Sequence, residues 1–369
     1  MTIEDLALIF TPGIGSRGAA YLIDYFGSAE ALFAASRGEL VEGAGLREEL
    51  AGRILNRDGM CLAEREIKYC RQNSICAIAA TDAEYPEPLR ETSDRPHVLF
   101  VRGNVDALSM RTLSMVGTRE VSPSGLHACD VLVGDLATKV EGLCVVSGLA
   151  YGVDSACHRA AIHHNVPTVA VVANVLPEVT PSAHRALAED IIKHGGAIVS
   201  ELHSASRQNG KLFIARNRII AGMSMGLVVV ESPASGGALA TADIADSYGR
   251  QVMAVPGRIS DKSSFGTNNL IRTGKARLVI TADDIIEDMD WQPIVARGED
   301  DAASANSPLA ELEPAERAVY DAVSSGVSRE WSELLELSGL TIGEFSMALL
   351  NLEMRGLIRS LPGRRYEAV

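Results

Sequence analysis

The chain has 369 residues, of which 47% are hydrophobic and 22% charged, with a formal net charge of -14 at pH 7. That length calls for two or three domains, one with a sizeable core, and the apolar fraction excludes a disordered chain. The net acidity argues against a generally polyanion-binding surface, so any site for phosphate has to be local.

Every long apolar run is broken by charge, Gly or Pro within about 18 residues, so no membrane span is expected. The start, Met1-Thr2-Ile3-Glu4-Asp5, lacks the basic region of a signal peptide, which predicts a cytoplasmic protein. The six cysteines show no C-x-x-C spacing and read as reduced, buried thiols. His158, His163 and His164 do not gather on one helix face, so no metal site is expected from them.

Residues 1 to about 75 have a helical pattern interrupted by Pro12-Gly13-Ile14-Gly15 and Glu42-Gly43-Ala44-Gly45-Leu46. The recurrence suggests a duplicated helix-hairpin-helix unit; equally, the glycines only punctuate helices. Residues 76–110 carry Tyr85-Pro86, Pro96 and Leu99-Phe100 and read as extended chain docking on a larger domain. From about 111 to 290, short apolar runs alternate with helix-length stretches. The expected strands are 112–116, 143–147, 168–172, 197–200, 227–231 and 251–255. Continuous rather than alternating apolar strands predict a parallel sheet covered on both faces, a doubly wound α/β domain with its ligand site at the carboxyl ends of the strands. Residues 291–308 read as an acidic linker, and 309–369 as three helices with a β-hairpin, a winged helix.

Four turns at predicted strand ends carry the candidate chemistry. Gly117-Thr118-Arg119 offers backbone N-H, hydroxyl and guanidinium donors to one phosphate. Ser147-Gly148-Leu149-Ala150-Tyr151-Gly152-Val153-Asp154 permits close approach of a ligand to its glycines. Asp154 is expected as a helix N-cap and His158 as a helix-end hydrogen-bonding residue rather than an acid-base pair. The third turn lies in an acid-free basic strip between Glu201 and Glu231 and holds Lys211, Phe213, Arg216, Asn217 and Arg218. Helical residues two apart diverge by about 200°, so one of Arg216 and Arg218 should face ligand while the other braces an acid such as Glu201 or Glu231. Phe213 reads as a core residue or, beside Lys211 at a helix start, as a stacking platform for a nucleobase. The fourth turn, Gly236-Gly237 leading to Thr241, is a second anion nest, and Gly266 with Asn268 adds polar donors after Pro256-Gly257. There is no Walker lysine, no G-x-G-x-x-G opening the first turn, and no nucleophile with a nearby base. A dinucleotide cofactor is therefore disfavoured, and so is ATP hydrolysis, and no cofactor is expected.

Taken in order, these turns, the Tyr85-Pro86 to Gly103 segment and both flanking regions resemble the DNA-processing protein A family (DprA/Smf). The resemblance implies an extended Rossmann-like core with an N-terminal helix-hairpin-helix or SAM-like region and a C-terminal winged helix. It implies a non-catalytic binder of single-stranded DNA that protects incoming strands in natural transformation, dimerises, and loads a RecA-type recombinase; single-strand-binding protein is a further candidate partner. Two departures stand out: Ala173-Asn174-Val175-Leu176-Pro177 with Thr180-Pro181 replaces the usual Gly-Leu-Asp and Tyr-Pro element, and Ser235-Gly236 replaces the usual Lys-Ser. From Pro308 onward there are ten acids and six basic residues. With Arg355, Arg359, Arg364 and Arg365 at the third helix end and wing, the winged helix suits either duplex DNA or protein docking. Two other functions compete. A nucleotide phosphoribohydrolase-like enzyme would share such a sheet, and a duplex-reading regulator would use the winged helix.

Overall fold

The structure is a computed structural model and describes residues 1–292, 312–324, 329–355, 357–361 and 365–368. It divides into two units, 1–294 and 295–369.

The first unit begins with five helices: α1 (Ile3–Phe10), α2 (Ser16–Phe26), α3 (Ala29–Ala34), α4 (Glu48–Leu55) and α5 (Met60–Gln72). Thr2 caps α1 by a capping box with Asp5, and the glycine turn between α1 and α2 lies where the first hairpin is expected. The second expected hairpin differs: Glu39–Gly43 is a π-helical turn, so Gly43 lies inside a helical segment.

Two strands follow that the Pro-punctuated sequence hides, β1 (Cys76–Ala79) and β2 (Val98–Gly103), with the short α6 (Glu87–Arg90) between them. The segment read as docking chain therefore enters the sheet itself. The wound portion then runs β3 (Arg111–Gly117), α7 (Pro123–Lys139), β4 (Leu143–Ser147), α8 (Val153–His163), β5 (Thr168–Val171), α9 (Arg185–Lys193), β6 (Ala197–Ser200), α10 (Lys211–Gly222), β7 (Gly226–Glu231), α11 (Gly237–Ser247), β8 (Gln251–Ala254), α12 (Phe265–Arg272), β9 (Arg277–Leu278) and α13 (Ala282–Asp288).

The nine strands are ordered β1-β2-β6-β5-β4-β3-β7-β8-β9. Pairing is parallel from β6 through β9, while β2 joins both β6 and β1 antiparallel. The parallel strands are apolar on both sides because both faces are covered. Leu113, Met115, Val145 and Val228 pack beneath α7, α8 and α13. Val116, Val146, Leu227 and Val229 face α10, α11 and α12. Phe100, Ala170, Val172 and Ile198 share a third core with α1 to α5 and α9. The chain winds outward from β3 through β4, β5 and β6 and returns to β7 on the other side of β3. This reversal splays the connections apart at the carboxyl ends of β3, β4 and β7, the location at which such sheets open to ligand.

The second unit holds α14 (Pro314–Ser324), β10 (Arg329–Glu330), α15 (Trp331–Ser338), α16 (Ile342–Met354), β11 (Ile358–Leu361) and β12 (Arg365–Ala368), with the strands in the order β10-β12-β11. Val319, Val323, Leu334, Phe345, Leu352 and Ile358 form its core. This is the expected winged helix with one extra short strand. Arg355 lies 3.6 Å from Glu316. The expected linker from 293 on and Arg364 lie outside the described residues.

Candidate nucleic-acid interface

The opening is built by lacing the first two turns together. Val153 N-H donates to Thr118 O at 3.0 Å and Thr118 N-H donates to Glu231 O at 2.7 Å, which joins the ends of β3, α8 and β7. Two glycines make this approach possible. A Cβ on Gly117 would lie 2.7 Å from Val153 Cβ. Gly152 has φ +76°, and a Cβ there would lie 2.6 Å from the Arg119 carbonyl carbon. The Thr118 amide, expected as a ligand donor, is therefore committed to Glu231 O; Ser147, expected at the site with the second turn, is fully buried and donates to Met115 O at 2.6 Å.

Arg119 is exposed at the rim, and among the described residues no hydrogen bond or ion pair restrains its side chain. Arg216 is its opposite. It is only 7% exposed, and its Nη1 donates to Gly148 O at 2.6 Å and to Val171 O, so it ties β5 to the second turn while its Nε has no partner. Burial pushes its pKa down, opposed by the nearby Asp154 carboxylate. Gly148 is small because a Cβ would lie 2.7 Å from Arg216 Nη1. Arg218 points away from this opening and pairs with Glu201, one of the two acids expected, while also donating to Ser16 Oγ at 3.1 Å.

Asp154 is not the N-cap of α8. Gly152 holds that position, and Asp154 sits in the first turn, where its Oδ2 accepts from Ala150 N at 3.2 Å. Burial raises its pKa, with Arg216 pulling the other way. His158 is fully buried, and its Nδ1 lies 2.7 Å from Thr168 Oγ1. Since Thr168 uses its one hydroxyl proton on Val145 O at 2.7 Å, His158 must donate from Nδ1, leaving Nε2 unprotonated. Burial depresses the His158 pKa to about 3, so the ring is neutral. His184, which the sequence did not flag, positions the second turn. Its ring nitrogen contacts Leu149 O at 2.8 Å, and its ring meets Tyr151 edge-on at 4.8 Å.

These parts enclose two adjoining cavities. The polar one, about 290 Å³, is lined by Thr118, Arg119, Arg216, Asn217, Gly236 and Gly237. Gly236 and Gly237 open the eleven-residue α11, whose N-terminal amides carry the positive end of the helix dipole toward this space. Thr241 Oγ1 is turned to Gly237 O at 2.9 Å. The second cavity, about 380 Å³, is more apolar and is lined by Tyr151, Ala173, Thr180, Pro181 and Phe213 together with Arg119. Phe213 and Arg216 border both cavities. Lys211 stands exposed at the start of α10.

Besides Ser147 and Arg218, two more expected site residues, Asn268 and Gly266, are not brought to the opening. Asn268 folds back on Gly257, with its amide oxygen accepting from Gly257 N and its amide nitrogen donating to Gly257 O, each at 3.0 Å. Gly266 N-H donates to Ser232 O at 2.8 Å. Both are used in bracing the loop after β8. Conversely, Tyr151 of the second turn and Ala173 and Pro181 of the departing element line the opening, although none was expected to meet ligand.

The fold and this opening define a doubly wound, Rossmann-like α/β protein carrying a winged helix, with a cleft where its strand order reverses. The chain belongs to the DNA recombination-mediator protein A family: the family model matches residues 76–290, and that of the DprA winged helix domain matches residues 303–364. It is 32% identical over 341 residues to Protein Smf of Escherichia coli, covering 84% of this chain and 85% of that one. It is 36% identical over 277 residues to the putative DNA processing protein DprA of Mycobacterium tuberculosis, covering 74% and 69%. Among solved structures, DNA processing protein A of Streptococcus pneumoniae superposes with a TM-score of 0.65 at 28% identity, covering 78% of this chain and 98% of that one. The Helicobacter pylori protein, described for its single-stranded DNA binding mode, matches with a TM-score of 0.52 at 23% identity, covering 59% and 97%.

Proposed function

We propose that the chain binds single-stranded DNA without sequence preference at this opening, and that it protects the strand and passes it to a RecA-type recombinase as a homodimer, without itself catalysing a reaction. The observation that carries the reading is the pairing of two compartments that share Arg119 and Phe213: a more polar one with Asn217 and the α11 N-terminus, and a more apolar one walled by Tyr151 and Pro181. A phosphate suits the first and a base the second, and an aromatic face accepts any base. The buried groups beside the opening support a binding rather than a catalytic role. His158 is buried away from the opening and turned to Thr168, while Asp154, which lines the polar cavity, accepts from the Ala150 amide and acts as the charge partner of the buried Arg216. The H. pylori relative's single-stranded DNA binding accords with this reading.

The decisive measurement is oligonucleotide affinity against salt concentration. Arg119→Ala should weaken binding to single strands and flatten the log-log slope by about 0.7, the signature of one lost phosphate contact. Phe213→Ala should weaken binding by about 1 to 3 kcal/mol with the slope kept. An Arg119→Ala slope equal to wild type would remove the opening as the binding site.

A further inference from the structure

A second cluster lies away from the opening, at the other end of α8. His163 closes this helix, His164 is its C-cap, and Asp130 comes from the neighbouring α7. Asp130 Oδ1 lies 3.3 Å from His163 Nδ1 and 3.0 Å from His164 Nε2. One donor atom from each residue falls within 4.8 Å of the other two. Spacing along α8 alone does not bring three ligands together; the third comes from a different helix.

We propose that Asp130, His163 and His164 form a binding site for a divalent transition metal ion, of which zinc is the best match. Two imidazoles and one carboxylate are a borderline donor set, and zinc holds such ligands at about 2.0 to 2.2 Å in a tetrahedron, which separates the donor atoms by roughly 3.4 Å. The observed separations approach that value before any ion is bound, so small ring rotations complete the site. Water or a group from another molecule takes the fourth position on this exposed face. One further feature favours a cation: the C-terminus of α8 carries the negative end of its dipole. The cluster is also fitted to the fold. Gly134 lies one turn beyond Asp130, and a Cβ there would come within 2.8 Å of His164 Cε1, so its absence lets the ring lie against α7 within reach of the carboxylate. A bound ion would join α7 to α8 at the end opposite the glycine turns.

The test is titration of the full-length, metal-stripped chain with Zn²⁺, followed by heat, together with the absorption spectrum of the Co²⁺ form. The expected result is one bound equivalent with affinity reduced at least tenfold in each of Asp130→Asn, His163→Gln and His164→Gln, and a cobalt spectrum without thiolate charge transfer. Gly134→Ala should also weaken binding by displacing the His164 ring, with the ligands themselves intact. The three ligands are exposed or half-buried, so circular dichroism of the variants should match wild type. Unchanged zinc affinity in the three ligand variants would overturn the proposal, as would a thiolate band placing the metal on exposed Cys61 or Cys76. Binding of single-stranded DNA should be the same in these variants, so this result stands or falls apart from the opening at α11.

Discussion

Gly117-Thr118-Arg119 and Gly266-Thr267-Asn268 are nearly the same phrase, glycine, threonine and a polar side chain, set near the carboxyl edge of one sheet. Their side chains have opposite fates. Arg119 stands exposed over two cavities, whereas Asn268 closes on Gly257, and Thr267 is fully buried with its hydroxyl on Ser264 O at 3.0 Å. The glycines serve one purpose in both places, close backbone approach: Gly117 to Val153 and Gly266 to the Ser232 carbonyl. The pattern therefore marks close backbone packing, in the turn that follows β3 and at the start of α12. Whether it also offers donors to a ligand depends on what the neighbouring strands supply as partners, and at the first turn nothing among the described residues occupies the guanidinium.

The sharpest way to break this contrast is to set Arg119 against Arg216, both cationic and both at the opening. Replacing Arg216 with Leu leaves the Gly148 and Val171 carbonyls buried without their donor, at about 1 to 3 kcal/mol each, and removes the counter-charge from Asp154. Urea unfolding should show a loss of about 3 kcal/mol or more. Arg119→Leu should stay within about 0.5 kcal/mol of wild type, as surface substitutions do. If the two variants were equally stable, Arg216 would not be the positioning residue its burial makes it, and the division between anchor and ligand-facing arginine would fail.

That division was half legible in the sequence. Helical geometry separates Arg216 from Arg218 and assigns one to an acid, but it cannot say which, because Glu201 reaches Arg218 only once β6 and α10 are placed. The wound strands were legible for a simple reason: each is a short, continuous apolar run set between helix-length stretches, and the bounds of β4 and β6 coincide with those expected. β1 and β2 were not, since Pro86, Pro88 and Pro96 break the segment and the pairing of β2 with β6 spans nearly a hundred residues. His184 on Leu149 O, the Asp130 cluster and the walls contributed by Ala173 and Pro181 are likewise products of long-range packing, with no local pattern to announce them.

A smaller effect distinguishes the buried scaffold beneath the opening from the exposed rim. His158 is neutral in the folded protein with a pKa of about 3 against an ordinary value of 6.5, so the unfolded chain takes up a proton that the native state refuses as pH falls. A depressed histidine pKa leaves stability unaffected above about pH 6.5 and removes it progressively from there toward 3, at up to about 1.4 kcal/mol per pH unit. By pH 5 this amounts to about 2 kcal/mol. His158→Gln, which can still meet Thr168, should reduce the slope of unfolding free energy against pH between 6 and 4 by up to about 1.4 kcal/mol per unit. Parallel slopes for the two proteins would mean that the ring is protonated in place.

The smallest expected change returns to the second of the paired turns. Asn268→Ala removes two hydrogen bonds to Gly257, from a half-buried side chain that water can partly replace, and should cost about 1 to 2 kcal/mol of stability. Its effect on DNA is the more informative reading. Because Asn268 has both amide groups committed to one glycine, oligonucleotide affinity at moderate salt and the slope of its salt dependence should match wild type under conditions where the variant is folded. A flattened slope, like the one expected of Arg119→Ala, would mean that the loop after β8 releases Gly257 and meets phosphate itself. The strand would then run along the carboxyl edge past β8, well beyond the two cavities flanking Phe213.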